Sequence, residues 1–107
     1  MTETIILVSG GFDPIHSGHI AYFKDAKKLG NKLIVGVNSD NWLIQKKGSA
    51  FLPINERIEI VSNLAVVDAA IEFEDDEYQS ASNAIQKVLE MYPDDKIVFA
   101  NGCLLYT

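Results

Sequence analysis

The chain alternates between short continuous apolar runs and longer segments in which apolar residues recur every three or four positions. Ile5-Ile6-Leu7-Val8 is the first such run, and residues 4–9 read as a buried strand. Ile20, Phe23, Ala26 and Leu29 follow at helical spacing, which predicts a helix over 18–29 with Gly30 just past its end. Residues 32–37, Lys-Leu-Ile-Val-Gly-Val, read as a second strand, and a short helix is expected at 40–46. Pro53 and Asn55 open another helix, carrying Ile58, Val61 and Leu64 on one face. Residues 66–73 read as a third strand. Residues 79–91 predict a helix with Ala84, Ile85, Val88 and Leu89 inward, stopped before Pro93. Residues 96–100, Lys-Ile-Val-Phe-Ala, are the last strand.

Strand–helix alternation with continuous apolar strands predicts an α/β domain whose parallel sheet is covered on both faces. Right-handed crossovers restrict the winding. With the first strand central, the order is 3-2-1-4. Winding then reverses between strands 1 and 4. That reversal places the turn at 10–13 beside Asn101-Gly102, at the switch-point crevice where α/β sheets bind ligands.

Composition narrows this picture without changing it. The 107 residues suit one domain spanning 1–107, with 48% hydrophobic and 22% charged residues. A net charge of −6 argues against a nucleic-acid binder. Glu72, Glu74, Asp75, Asp76 and Glu77 read as a solvated acidic loop. The single cysteine, Cys103, excludes an internal disulfide, and no pattern activates it as a nucleophile. Thr2-Glu3-Thr4 lacks a basic leader and no apolar run has spanning length, so a soluble cytoplasmic protein without a membrane partner is expected. Neither a P-loop nor G-x-G-x-x-G is present.

The chemistry concentrates in residues 10–20, Gly-Gly-Phe-Asp-Pro-Ile-His-Ser-Gly-His-Ile, where the first strand hands over to the first helix. A helix N-terminus offers unpaired N–H groups and the positive end of a dipole, which suits an anion. His16 and His19 are three apart, so both can face one phosphate. Gly10, Gly11 and Gly18 let backbone approach a ligand. A zinc site needs three or four ligands, and only Asp13 lies near the histidines.

Gly10, Phe12, Asp13, His16, Gly18 and His19 match G-x-F-D-x-x-H-x-G-H, and the stretch resembles the signature of the cytidylyltransferase-like nucleotidyltransferases. The resemblance implies a three-layer Rossmann-like α/β sandwich, commonly a homodimer. It implies transfer of CMP or AMP from CTP or ATP to a phosphorylated polyol or sugar, with release of pyrophosphate and Mg²⁺ carried by the nucleotide. It makes His16, His19, Lys46 and Arg57 catalytic candidates. Gly10, Gly11, Phe12, Asp13, Gly18, Lys47, Asn101 and Gly102 become nucleotide or phosphate contacts, and Asp40 and Asp68 substrate contacts.

Several have a plainer reading. His16 and His19 also suit a capped helix with two solvated imidazoles. Lys46 and Lys47 also suit a solvated loop before Gly48-Ser49. Within Asn38-Ser39-Asp40, Ser39 or Asp40 also suits a helix N-cap. Arg57 also suits a surface ion pair, although an arginine at a helix start opposes the dipole and needs a compensating reason. Spacing through Asp68 is similar to the glycerol-3-phosphate cytidylyltransferase branch. Phe99-Ala100-Asn101-Gly102 is similar to the heptose-phosphate adenylyltransferase branch. The resemblance covers residues 4–102 and then departs, since members continue Gly-Asp-Arg where this chain reads Cys103-Leu104-Leu105-Tyr106-Thr107. The expectation is a member shortened at its C-terminus. The alternative is an inactive nucleotide-binding or scaffold module that keeps the fold.

Overall fold

In a computed structural model, which describes residues 3–13, 15–74 and 82–100 without the side chains of residues 42, 46, 47 and 82, β1 (Thr4–Gly10) runs through a four-stranded parallel sheet. Around it lie α1 (Ser17–Lys27), β2 (Lys32–Asn38), α2 (Asp40–Lys47), α3 (Ile54–Ser62), β3 (Ala69–Phe73), α4 (Ser82–Met91) and β4 (Lys96–Phe99). The strand order is β3-β2-β1-β4, as the alternation of segments predicts. The fold is a Rossmann-like α/β sandwich.

The apolar runs are continuous because both faces of the sheet are covered. Ile6 pairs with Leu33 and Val8 with Val35, and all four are buried beneath Phe23 and Ala26 of α1 and Val61 of α3. Ile5, Leu7 and Ile34 point the other way, onto Ala84 and Val88 of α4. Each fully buried side chain of this size is worth about 1.5–3 kcal/mol. The central pair of strands is therefore the most strongly held part of the molecule.

Boundaries differ from the sequence pattern where tertiary contacts compete with periodicity. β3 begins at Ala69 rather than residue 66. Val67 instead turns into the core, and the Asp68 N–H donates to the Leu33 carbonyl at 2.9 Å. Leu29 is exposed because α1 ends at Lys27 and leaves it in the following turn. Leu89 is exposed because α4 meets the sheet along Ala84, Ile85 and Val88. Tyr22 is buried and its hydroxyl donates to the Ala100 carbonyl at 2.8 Å, tying α1 to the end of β4. Among the described residues no helix is long and apolar enough to cross a membrane.

Candidate functional site

β1 delivers the chain to the carboxyl edge of the sheet at Gly10. Phe12 then adopts a left-handed φ of 52°, the only non-glycine residue described that does so. That conformation costs on the order of 1–3 kcal/mol. Burial of the phenyl ring offsets it, for Phe12 stacks edge-on against Phe23 with centroids 5.2 Å apart. The ring folds back over Gly10, where an added Cβ would lie 2.9 Å from Phe12 Cζ. On its other side the same ring meets His19 at 5.1 Å. The Gly-x-Phe sequence thus builds an apolar platform under the second histidine.

His16 is the N-cap of α1, a position usually held by Ser, Thr, Asp or Asn. Its Nδ1 accepts the Gly18 N–H at 3.0 Å, and His19 Nδ1 accepts the His16 N–H at 3.2 Å. The two imidazoles form a reciprocal capping box. This pattern assigns both rings to the neutral tautomer with the proton on Nε2, because a protonated Nδ1 cannot accept. Burial lowers the His19 pKa from 6.5, and the neighbouring His16 lowers it further. The rings lie 4.0 Å apart and 33° from parallel. Gly18 makes room for them, since a Cβ there would sit 2.8 Å from His16 Cε1. The first turn of α1 carries no acidic residue. Two neutral N–H donors above the positive end of a helix dipole suit an anionic ligand.

Asp13 and Arg57 organise the backbone beside the histidines. One Asp13 oxygen accepts the Phe51 N–H at 2.5 Å and the other the Leu52 N–H at 2.6 Å. Arg57, 1% exposed, donates from Nε to the Leu52 carbonyl at 2.9 Å. Its Nη1 donates to the Gly11 carbonyl at 2.9 Å and the Asn38 carbonyl at 2.6 Å. Its Nη2 reaches Asp40 Oδ1 at 2.6 Å. These acceptors are the compensating reason for an arginine at a helix start. Neither a surface ion pair nor a solvent-facing phosphate ligand describes it. Asp40, first residue of α2, is half-exposed and serves Arg57.

The structure brings together Gly10, Gly11, Phe12, Asp13, His16, Gly18, His19, Asp40 and Arg57 at the carboxyl edge. Asp68 does not join them. It lies at the amino edge, where its carboxylate accepts the Leu33 N–H at 2.7 Å and pairs with Lys27. Lys46 and Lys47 belong to the last turn of α2 rather than to a loop, and their side chains lie outside the described residues. Asn101 and Gly102 also fall outside, as do residues 75–77 of the acidic stretch. Among the described residues no group of three His, Cys, Asp or Glu could hold a metal ion. The clip of Asp13 on residues 51–52 was not legible in sequence, because its partners are backbone N–H groups.

Comparison with known proteins bears on the family and the fold. A family model described as cytidylyltransferase-like matches residues 7–105. The bifunctional protein HldE of Blochmanniella floridana is 44% identical over 95 residues, which cover 86% of this chain and 18% of that protein. HldE of Haemophilus influenzae (strain PittEE) is 42% identical over 112 residues, 94% of this chain and 23% of that protein. The chain therefore spans about a fifth of the length of these curated relatives. Among solved structures, a lipopolysaccharide core biosynthesis protein from Thermoplasma volcanium GSS1 superposes with a TM-score of 0.65 at 27% identity. That match covers 91% of this chain and 95% of the other. A protein of unknown function from Archaeoglobus fulgidus shares the fold at a TM-score of 0.56 and 24% identity, over 90% of this chain and 97% of its own.

Proposed function

This chain belongs to the cytidylyltransferase-like family of nucleotidyltransferases, and on that premise we propose that it transfers a nucleotidyl group from CTP or ATP to a phosphorylated sugar, releasing pyrophosphate. A sugar acceptor is favoured over a linear polyol by the likeness to a protein of lipopolysaccharide core biosynthesis. The observation that carries the reading is the reciprocal histidine cap, which leaves both Nε2–H groups as donors at one helix N-terminus.

The reaction is an in-line displacement. An oxygen of the acceptor phosphate forms a bond to the nucleotide α-phosphorus, and the bond to the bridging oxygen of pyrophosphate breaks. Catalysis of this kind is positioning and charge stabilisation, with no protein nucleophile. His16 and His19 donate to the α-phosphate oxygens as negative charge grows there. Gly10, Gly11 and Gly18 keep backbone close to the phosphates. Lys46 or Lys47 at the end of α2 supplies a cation that offsets charge developing on the α-phosphate and the leaving pyrophosphate. Asn101 and Gly102 would border the nucleotide on the β4 side. Mg²⁺ arrives as part of the nucleotide substrate, held chiefly by phosphate oxygens. The reading includes a homodimer, which the mass in solution tests.

Pyrophosphate release is measured with CTP and with ATP, each against a panel of sugar and polyol phosphates. The productive pair identifies nucleotide and acceptor. His16→Ala and His19→Ala are each expected to lose about 10²-fold or more in rate while remaining folded. Wild-type turnover in the double variant overturns the assignment.

A further inference from the structure

We propose that Asp13 and Arg57 are positioning residues: they clip residues 51–52 onto the β1–α1 turn and touch no phosphate themselves. The inference rests on the nucleotidyl-transfer reading and assigns these two side chains a different task from the histidines.

The directions of the hydrogen bonds make the case. Each Asp13 oxygen accepts one backbone N–H, from Phe51 or Leu52, so the carboxylate is aimed at the segment between α2 and α3. A carboxylate turned toward a triphosphate would repel it. Arg57 approaches the same segment from the other side, through the Leu52 carbonyl. Leu52 is thus held by its N–H and its C=O at once. The other arms of the guanidinium reach Gly11 in the turn after β1, and Asn38 and Asp40 where β2 passes into α2. One buried side chain therefore joins the three chain segments that meet at the carboxyl edge. Its planar fork can serve four acceptors, whereas a lysine ammonium is a single point charge.

The clip fixes a relationship that no element enforces alone. α2 ends in Lys46-Lys47 and leaves through Gly48, whose φ is 86° and where an added Cβ would meet nothing within 4 Å. The Gly48 N–H closes the last turn of α2 by donating to the Ile44 carbonyl at 2.9 Å, and the chain turns away from the helix there. Residues 51–52 are the next fixed point, and they are fixed to the turn that carries the histidines. The distance from the end of α2 to the His16–His19 pair is then set at both ends. Misplacement by 1 Å remote from the chemistry can cost about 10²-fold in rate.

The test uses Asp13→Asn, Arg57→Lys and the double variant in the full chain. Three quantities are read: kcat with saturating CTP or ATP and the productive acceptor, calorimetric Kd for the same nucleotide, and amide exchange at Phe51 and Leu52. The Asp13→Asn side chain has one oxygen in place of two, so one of the two N–H bonds is lost. We expect kcat to fall about 10²-fold, the nucleotide Kd to stay unchanged, and the two amides to exchange faster. The double variant should cost little more than either single one, because both residues hold the same segment. A Kd that moves in step with kcat in Asp13→Asn overturns the proposal and makes Asp13 a direct ligand contact. Faster exchange with unchanged kcat also overturns it, leaving the clip as stability alone. Should Arg57→Lys not fold, Asp13→Asn decides the matter, since Asp13 lies at the half-buried edge and outside the core. A wild-type chain that releases no pyrophosphate with any pair overturns the functional reading instead, and amide exchange then still decides whether the clip exists.

Discussion

Replacing Gly18 with alanine separates the stability of α1 from the chemistry at its N-terminus. A Cβ at this position would stand 2.8 Å from His16 Cε1 and 3.0 Å from its Nδ1. Carbon atoms prefer a separation near 3.5 Å, so the imidazole must retreat by about 0.7 Å. That retreat breaks or stretches the 3.0 Å bond from the Gly18 N–H and shifts the His16 ring against the His19 ring, whose centroid lies 4.0 Å away. Loss of an N-cap bond costs about 0.5–2 kcal/mol. Alanine regains about 0.8–1 kcal/mol of helix propensity over glycine. The two nearly cancel, and the unfolding temperature should move by no more than about 4–8 °C in either direction. Turnover has no such compensation. One misplaced donor to a developing oxyanion costs about 10²–10³ in kcat. Thermal unfolding followed by circular dichroism and pyrophosphate release, measured on one preparation, give both numbers. Gly18→Ala with wild-type kcat would show that the position of His16 is irrelevant to the rate, and the reasoning would fail at that point.

Other expectations follow from the same geometry. Because His19 titrates below 6.5 in the fold, the unfolded chain binds more protons between that lowered value and 6.5. Stability must therefore fall as pH drops through this window, and denaturant titrations should show the slope in wild type but not in His19→Ala. At Asp68, burial raises the pKa, but the bonds from Lys27 and the Leu33 N–H and the charges of Lys27 and Lys32 outweigh it, so the net shift is downward. Asp68→Asn should destabilise the chain by about 1 kcal/mol at neutral pH. That difference should vanish as pH falls through the lowered folded value, while KM for both substrates stays unchanged; a rise in acceptor KM would restore Asp68 to the site. Tyr22→Phe removes the bond to the Ala100 carbonyl and should cost about 0.5–1.5 kcal/mol, seen as a lower denaturation midpoint.

The structure accounts for the fixed positions of the motif one by one, and none of those accounts is a property of the residue alone. Gly10 is small because the Phe12 ring lies on it, and Gly18 because the His16 ring does. His16 and His19 cap each other, so the helix start is the same object as the proposed phosphate site. Substitutions there couple folding to chemistry, and their effects on Tm and kcat need to be read together.

Periodicity and run length were enough to determine the α/β class, and with the first strand taken as central they led to the strand order β3-β2-β1-β4 and to residues 10–19 at the carboxyl edge of that strand. These follow from short-range rules: apolar runs bury, helices cross over right-handedly, and winding reverses at the middle of the sheet. The meeting of His16 and His19 was likewise readable, because a helix start brings the N-cap and the third helical residue together by local geometry. Tertiary structure alone decided what the charged residues do. Arg57, Asp13 and Asp68 are equally polar in a sequence. One is buried on three carbonyls and a carboxylate, one grips two backbone N–H groups, and one sits at the far edge against Lys27. Backbone partners leave no trace in side-chain identity, and residues 39 or 46 positions apart meet only once the sheet has formed.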